Sequence, residues 1–155
     1  MRIHIATDHA GMEFSTRLQH HLAEAGHDVV DHGPVTYDPL DDYPAFCIRA
    51  AQAVAEDQAR GIPTLGVVFG GSGNGEQIAA NKVAGIRAVT AHDSFSVERG
   101  VLSNDAQVLT MGQRVIGIEL ARRLVREWLT YRFDPTSASA AKVAVIGEYE
   151  STGSC

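Results

Sequence analysis

Six residues, Gly70-Gly71-Ser72-Gly73-Asn74-Gly75, stand between the apolar run Leu65–Phe69 and Glu76. Glycines let a backbone turn sharply and aim several N–H groups at one point. Such a loop can hold an anion, or an oxygen that gains charge during a reaction. It is not a triphosphate-binding P-loop, because Glu76-Gln77 replace the lysine and hydroxyl residue that should follow the last glycine. The dinucleotide fingerprint fails too: the spacing is Gly-x-Gly-x-Gly, and the loop follows the third strand-like segment rather than the first. A carboxylate beside an anion cradle repels a triphosphate but suits proton transfer. Moving a proton between adjacent carbons through an enediol takes a base at the carbon and fixed donors at the oxygen. Glu76 can be that base, the loop N–H groups the donors, and Ser72 a hydroxyl relay. Equally, Glu76 can be a helix-start carboxylate favoured by the helix dipole. Spacing alone leaves the two readings even.

Other candidates are weaker on their own. Asp8-His9-Ala10-Gly11 follows the first strand-like run, where Asp8 reads most simply as a helix cap and His9 as a surface residue. Seven histidines raise the question of a metal, but none has ligand spacing. His20 and His21 are adjacent on a helix and point apart, His4 lies inside a strand, and His27 and His32 are separated by apolar residues. No metal and no cofactor are expected. Asp41-Asp42-Tyr43-Pro44 lacks the oxygen-ligand spacing of a calcium loop, and its carboxylates read as a helix start. Asn104-Asp105 is first of all a turn signal. Cys47 and Cys155 suggest no disulfide, and Cys47, between Phe46 and Ile48, reads as a small core residue.

These residues need a scaffold, and its elements are legible. Strands are expected at Ile3–Ala6, His27–Asp31, Thr64–Phe69, Ile86–Thr90 and Ala106–Met111. Helices are expected at Met12–Ala25, Pro44 to about Asp57, Glu76–Lys82, Asp93–Leu102 and Gly117–Tyr131. A separate terminal helix is expected at Thr136–Glu150. Arg122, Arg123 and Arg126 are spaced with Glu119 and Glu127 for a solvated helix face. Strand–helix alternation implies a doubly wound α/β fold, a three-layer sandwich around a five-stranded parallel sheet of Rossmann-like type. Ligands of such sheets bind at the carboxyl ends of the strands. That is where the segments starting at Thr7, His32, Gly70, Ala91 and Gly112 fall. A chain of 155 residues suits one domain, taken here as residues 1–150, with 151–155 expected as a disordered tail.

The formal net charge of −6 argues against a nucleic-acid binder. No apolar run is long enough for a membrane helix, and the start of the chain has no signal-peptide pattern, so a cytoplasmic protein is expected.

Taken together, the motifs resemble a known family: ribose-5-phosphate isomerase B with the galactose-6-phosphate isomerase subunits and allose-6-phosphate isomerases. The resemblance runs from Arg2 to about Tyr149. It is carried by Asp8-His9-Ala10-Gly11, Asp42-Tyr43-Pro44, Gly70 through Lys82, Gly85-Ile86-Arg87-Ala88, Asn104-Asp105-Ala106 and Gly112-Gln113-Arg114. It implies metal-free aldose–ketose isomerisation of a sugar phosphate. It also implies a homodimer, or a dimer of dimers, with active sites shared between subunits and the terminal helix packed on the partner. One branch of the family uses a cysteine base at the position of Gly70, the other a glutamate at the position of Glu76, and this chain resembles the second. By the same mapping Ser72 assists proton movement. Gly71, Gly73, Asn74 and Gly75 hold the enediolate, and Asp8, Tyr43 and Asn104 line the sugar. His9, Arg114 and Lys142 approach the phosphate.

Two departures bear on the substrate. Ser103 stands where the family usually carries the histidine that opens a furanose ring, and His92 is the nearby imidazole that could replace it. Of the two C-terminal phosphate arginines, the first falls near Ala138 or Ser139 and the second aligns with Lys142. Ribose 5-phosphate to ribulose 5-phosphate is the first expectation. A tetrose 4-phosphate, which cannot close a furanose, is the alternative, and a hexose 6-phosphate a further one. From other classes, a non-catalytic sugar-phosphate-binding protein and a flavodoxin-like nucleotide module remain to be weighed.

Overall fold

The run Leu65–Phe69 is apolar on both faces, and it becomes the centre of a sheet. Val67, Val68 and Phe69 are completely buried. The computed structural model describes residues 1–154. Its strands are β1 (Arg2–Thr7), β2 (Asp28–Asp31), β3 (Thr64–Gly70), β4 (Ala88–Thr90) and β5 (Val108–Gly112). Its helices are α1 (Met12–Glu24), α2 (Tyr43–Ala59), α3 (Asn74–Ala80), α4 (Ser94–Leu102), α5 (Ile118–Thr130) and α6 (Ala140–Thr152), with a 3₁₀ turn at His9–Gly11. All strand pairs are parallel, in the order β2-β1-β3-β5-β4. The doubly wound, three-layer expectation therefore holds.

Helices cover both faces. Phe14, Leu18 and Leu22 of α1, Val97 and Val101 of α4, and Leu124, Val125 and Trp128 of α5 pack on Ile3, Ile5, Val67, Phe69, Leu109 and Met111. On the other face Cys47, Ala50, Ala51 and Val54 of α2 and Ala79 and Ala80 of α3 meet Ala6, Val68 and Val108. Each fully buried Leu, Ile or Phe side chain contributes about 1.5–3 kcal/mol of transfer free energy. These two layers are what hold the strand ends in place. The solvated face of α5 is as expected, with Arg122–Glu119 and Arg123–Glu127 ion pairs of 2.8 Å each.

The β1–α2 junction also holds a polar cluster. Arg2 donates to both oxygens of Asp57 at 3.0 and 3.1 Å. His4 Nε2 lies 3.0 Å from Asp57 Oδ2, and His4 Nδ1 lies 2.8 Å from His32 Nε2. Spacing could not pair His4 with His32. The parallel register does, by placing His32 beside the end of β1 through the His32 N–H bond to the Ile5 carbonyl.

Some boundaries shift. Helix α3 starts at Asn74 rather than Glu76, because Gly73 takes the left-handed conformation (φ +86°) and turns the chain earlier. Strand β4 starts at Ala88, since Ile86 is spent on a turn to the Val83 carbonyl. Helix α6 starts at Ala140 rather than Thr136, because Asp134 Oδ1 accepts from both the backbone and the hydroxyl of Thr136 and holds a turn there. It runs to Thr152, two residues into the expected tail, and closes on left-handed Gly153. No residue of α6 is buried. Cys47 is fully buried, as expected, and Cys155 lies outside the described residues.

Candidate active site

The chain leaves β1 toward β2 and returns to β3 on the other side, so the carboxyl ends of β1 and β3 flank the switch point of the sheet. Thr7 pairs with Phe69, and Gly70 with Gly112. Asp8, the glycine loop and Arg114 must therefore leave the sheet side by side. They surround a cleft of about 440 Å³ lined by Asp8, His9, Tyr43, Gly71, Ser72, Gly75, Glu76 and Arg114, with Ala10 and Val115.

The glycine loop is gripped from below. Thr110 donates its hydroxyl to the Gly73 carbonyl at 2.9 Å, and Thr90 reaches Gln77 Oε1 at 2.8 Å and the Thr110 hydroxyl at 2.7 Å. From the side, Gln113 N–H and Arg114 N–H donate to the carbonyls of Gly70 and Gly71. With those carbonyls occupied, the loop cannot flip its peptides, and its amide donors keep their direction. Gly73 is buried, and Asn74 is exposed on the outside of the first turn. Both shape the loop without lining the cleft.

Glu76 is 4% exposed and forms no ion pair among the described residues. Burial, and then the like charge of Asp8, push its carboxyl above the ordinary range, while the backbone N–H groups of Glu76 and Gly73 pull the other way. A carboxylate kept short of partners in a cleft is suited to taking a proton near neutrality. Gly70 makes room for it. A Cβ on Gly70 would lie 1.8 Å from Glu76 Oε1 and 2.2 Å from its carboxyl carbon. The Glu76 carboxylate thus fills the space in which a side chain at position 70 would stand. Cys47, also close by, is no competing base: burial first, then Glu76 and Asp8, push its thiol up to about 12.

Ser72 places its Oγ within 3.3 Å of the Asn74 N–H, so one lone pair caps α3 while the hydroxyl hydrogen remains free for the cleft. Tyr43, the first residue of α2, lies flat on Gly75, where a Cβ would meet its ring at 2.8 Å. Asp8 does cap the 3₁₀ turn, its Oδ1 accepting from Ala10 N–H at 3.0 Å, and lines the cleft as well. Arg114 makes no ion pair among the described residues and its guanidinium passes 3.5 Å from the Gly71 position, leaving its charge for a ligand. His9 stands on the same wall as Asp8.

Sequence reasoning missed one contributor here. Asp41 does not start α2. Its carboxylate accepts from the His9 backbone N–H at 3.0 and 3.3 Å and lies 2.6 Å from His9 Nδ1. Asp8, His9 and Asp41 each bring one donor atom within 4.8 Å of the others. Because His9 Nδ1 is already bonded to Asp41, the group is built as a hydrogen-bonded dyad beside a capping carboxylate.

Asn104 and Lys142 are not brought to the cleft of their own chain. Asn104 follows α4 and precedes β5, at the amino end of the strands away from the cleft, where its side chain donates to the Arg99 carbonyl. Arg87 clamps the same turn through the carbonyls of Asn104 and Asp105. Lys142 lies exposed on α6. His92 is no free replacement for a ring-opening imidazole: its Nε2 accepts the Gly112 N–H at 2.9 Å, and burial keeps the ring below its usual basicity. No helix is long and apolar enough to cross a membrane.

Comparison with known proteins agrees with this geometry. Residues 3–146 match the family described as Ribose/Galactose Isomerase. The chain is 51% identical over 150 residues to D-erythrulose-4-phosphate isomerase 2 of Mycolicibacterium smegmatis, covering 97% of each. It is 40% identical over 155 residues to ribose-5-phosphate isomerase B of Mycobacterium tuberculosis, covering 98% of this chain and 91% of the relative. The solved structure of ribose-5-phosphate isomerase B from Clostridium thermocellum superposes with a TM-score of 0.90 at 36% identity, over 99% of this chain and 100% of that one.

Proposed function

The chain belongs to the ribose/galactose isomerase family and is a sugar-phosphate aldose–ketose isomerase, and from that premise we propose that it interconverts D-erythrulose 4-phosphate and D-erythrose 4-phosphate. One observation carries the choice of substrate. The position of the family's ring-opening histidine holds Ser103, and the imidazole of His92, at the other end of α4, is engaged by the Gly112 N–H. A tetrose 4-phosphate has its O4 esterified, so it forms no furanose and needs no ring opening. The 51% identity to an erythrulose-4-phosphate isomerase supports the same reading. Ribose 5-phosphate is the second reading, favoured by the 40% identity to a ribose-5-phosphate isomerase B.

In the proposed reaction Glu76 takes the proton from C1 of the ketose, and the electron pair moves into a C1–C2 enediolate. The amides of Gly71 and Gly75, the loop glycines that line the cleft, hold the charged oxygen. Ser72 relays the hydroxyl proton between O1 and O2, and Glu76 returns its proton to C2 to give the aldose. Asp8 and Tyr43 border the sugar, and His9 and Arg114 take the phosphate.

The site is completed by a second copy of the chain, which brings Asn104 and Lys142. Supporting this, neither residue reaches its own cleft, and α6 leaves Val145, Ile146 and Tyr149 exposed. A phosphorylated metabolic substrate supports a cytoplasmic enzyme.

A kinetic panel tests the substrate. The value of kcat/KM is expected to be highest for erythrulose 4-phosphate, with ribose 5-phosphate and the hexose 6-phosphates at least tenfold lower. Equal or better turnover of ribose 5-phosphate overturns the tetrose reading. Mixing inactive Glu76→Gln protein with a Lys142→Ala variant tests the shared site: recovered activity supports it, and its absence under conditions where mixed dimers form overturns it.

A further inference from the structure

We infer that Asp41 is a positioning residue for the reaction, fixing the orientation of His9 so that Nε2 is the ring nitrogen presented to the substrate phosphate. The inference rests on the proposed assignment of His9 to the phosphate.

The argument runs through hydrogen-bond capacity. Asp41 accepts from the backbone N–H of His9 and lies 2.6 Å from its Nδ1. An ionised carboxylate only accepts, so Nδ1 must carry the hydrogen in that bond. Nε2 is then the nitrogen left for the cleft. The carboxylate is well placed to act as a fixture: the Asp41 side chain is 7% exposed and the His9 ring 24%. Gripping both the main chain and the ring of one residue leaves the imidazole little rotational freedom. Tyr37 stands edge-on to His9 at 5.9 Å between ring centroids. The loop between β2 and α2 therefore reaches across to set the β1 end of the cleft.

The charges around His9 explain the need. Asp8 and Glu76 share the cleft, and a phosphate dianion entering it meets negative groups on two sides. Arg114 supplies one positive group. His9 adds a second donor through Nε2 only when both ring nitrogens carry hydrogens, and Asp41 then faces the ring from the Nδ1 side.

Three measurements test this with the full-length protein. Asp41→Ala should raise KM for the phosphorylated substrate roughly tenfold, the loss of one charge-assisted hydrogen bond, with kcat within about twofold. Asp41→Asn, which keeps an acceptor oxygen in reach of Nδ1, should recover part of that loss. In ¹⁵N-labelled histidine spectra, His9 should show the Nδ1–H form in the native protein and lose it in Asp41→Ala, while His4 is unchanged. In a His9→Asn background, Asp41→Ala should add nothing to KM. An unchanged KM in Asp41→Ala, an unchanged His9 ring signature, or an equal cost with and without His9 overturns the inference. If His9→Asn itself leaves KM unaltered, the phosphate assignment fails, and the ring spectra still decide whether Asp41 holds the imidazole.

Discussion

Two buried carboxylates sit on the same layer of helices at opposite ends of the strands, and they are treated in opposite ways. Asp57 at the end of α2 and Glu76 at the start of α3 are each 4% exposed. Asp57 is saturated with partners: Arg2 grips both oxygens and His4 bonds one of them. The His4 bond above all, with Arg2, holds its carboxyl below the usual range despite burial. Glu76 has no side-chain partner, and burial holds it above that range. One carboxylate joins α2 to β1. The other faces the cleft without a side-chain partner, and its proposed role as base rests on that difference. A buried charge alone therefore does not mark a site. Its missing partners do.

The largest expected effect breaks the contrast at its functional end. Glu76→Gln should lower kcat by about 10³-fold, within the range of general-base catalysis, in steady-state turnover of the preferred sugar phosphate. Stability should move the other way. Because the folded state raises the Glu76 value, folding binds a proton that the unfolded chain has released, and native stability falls as pH rises through that window. Glutamine escapes the cost. The variant should denature at an equal or higher temperature than the native enzyme at pH 7. That advantage should vanish below about pH 4, where the carboxyl is protonated in both states. A variant that loses activity and melts lower at pH 7 would show that Glu76 is structural.

A second variant probes the niche rather than the charge. Gly70→Ala places a methyl group 1.8 Å from Glu76 Oε1, so the carboxylate must move. Displacing a reacting group by about an ångström costs on the order of 10²-fold. The loss should appear in kcat rather than KM, because the His9–Arg114 wall is untouched. Retained kcat would mean that the base works from another position.

The contrast also shows what could be read from the chain before folding. The α/β alternation, the central strand and the covering helices were visible as periodicity, and Phe14, Leu18 and Leu22 pack as their spacing implied. The glycine loop was visible because its pattern is local: the loop and Glu76, the proposed base, lie within seven consecutive residues. Partnerships were not visible. Asp57 meets His4 and Arg2 across more than fifty positions, and Asp41 meets His9 across 32. Strand register and a loop crossing set both meetings, and composition records neither. His4 and His32 looked unrelated until β1 and β2 were paired. Thr90 and Thr110 looked like ordinary strand residues, yet they hold the carbonyl of Gly73 and the side chain of Gln77.

The smallest effect on activity is expected at Asp57, and it sharpens the comparison from the structural end. Asp57→Asn keeps the shape but removes the charge that Arg2 and His4 share. Arg2 retains its 2.8 Å pair with Asp28, so the strand stays anchored. The site lies at the other end of the sheet, and kcat should stay within about twofold. Stability should fall instead, with the opposite pH sign to Glu76→Gln. A carboxyl whose folded value is depressed contributes stability that is complete above its unfolded value, about pH 4, and lost as pH falls toward the folded one. The native enzyme should therefore exceed Asp57→Asn in melting temperature at pH 7, and the gap should close below pH 4. The two variants should then give difference curves of opposite sign against pH that both fall to zero in acid. Curves of the same sign would mean that burial, and not partnership, decides what each carboxylate does.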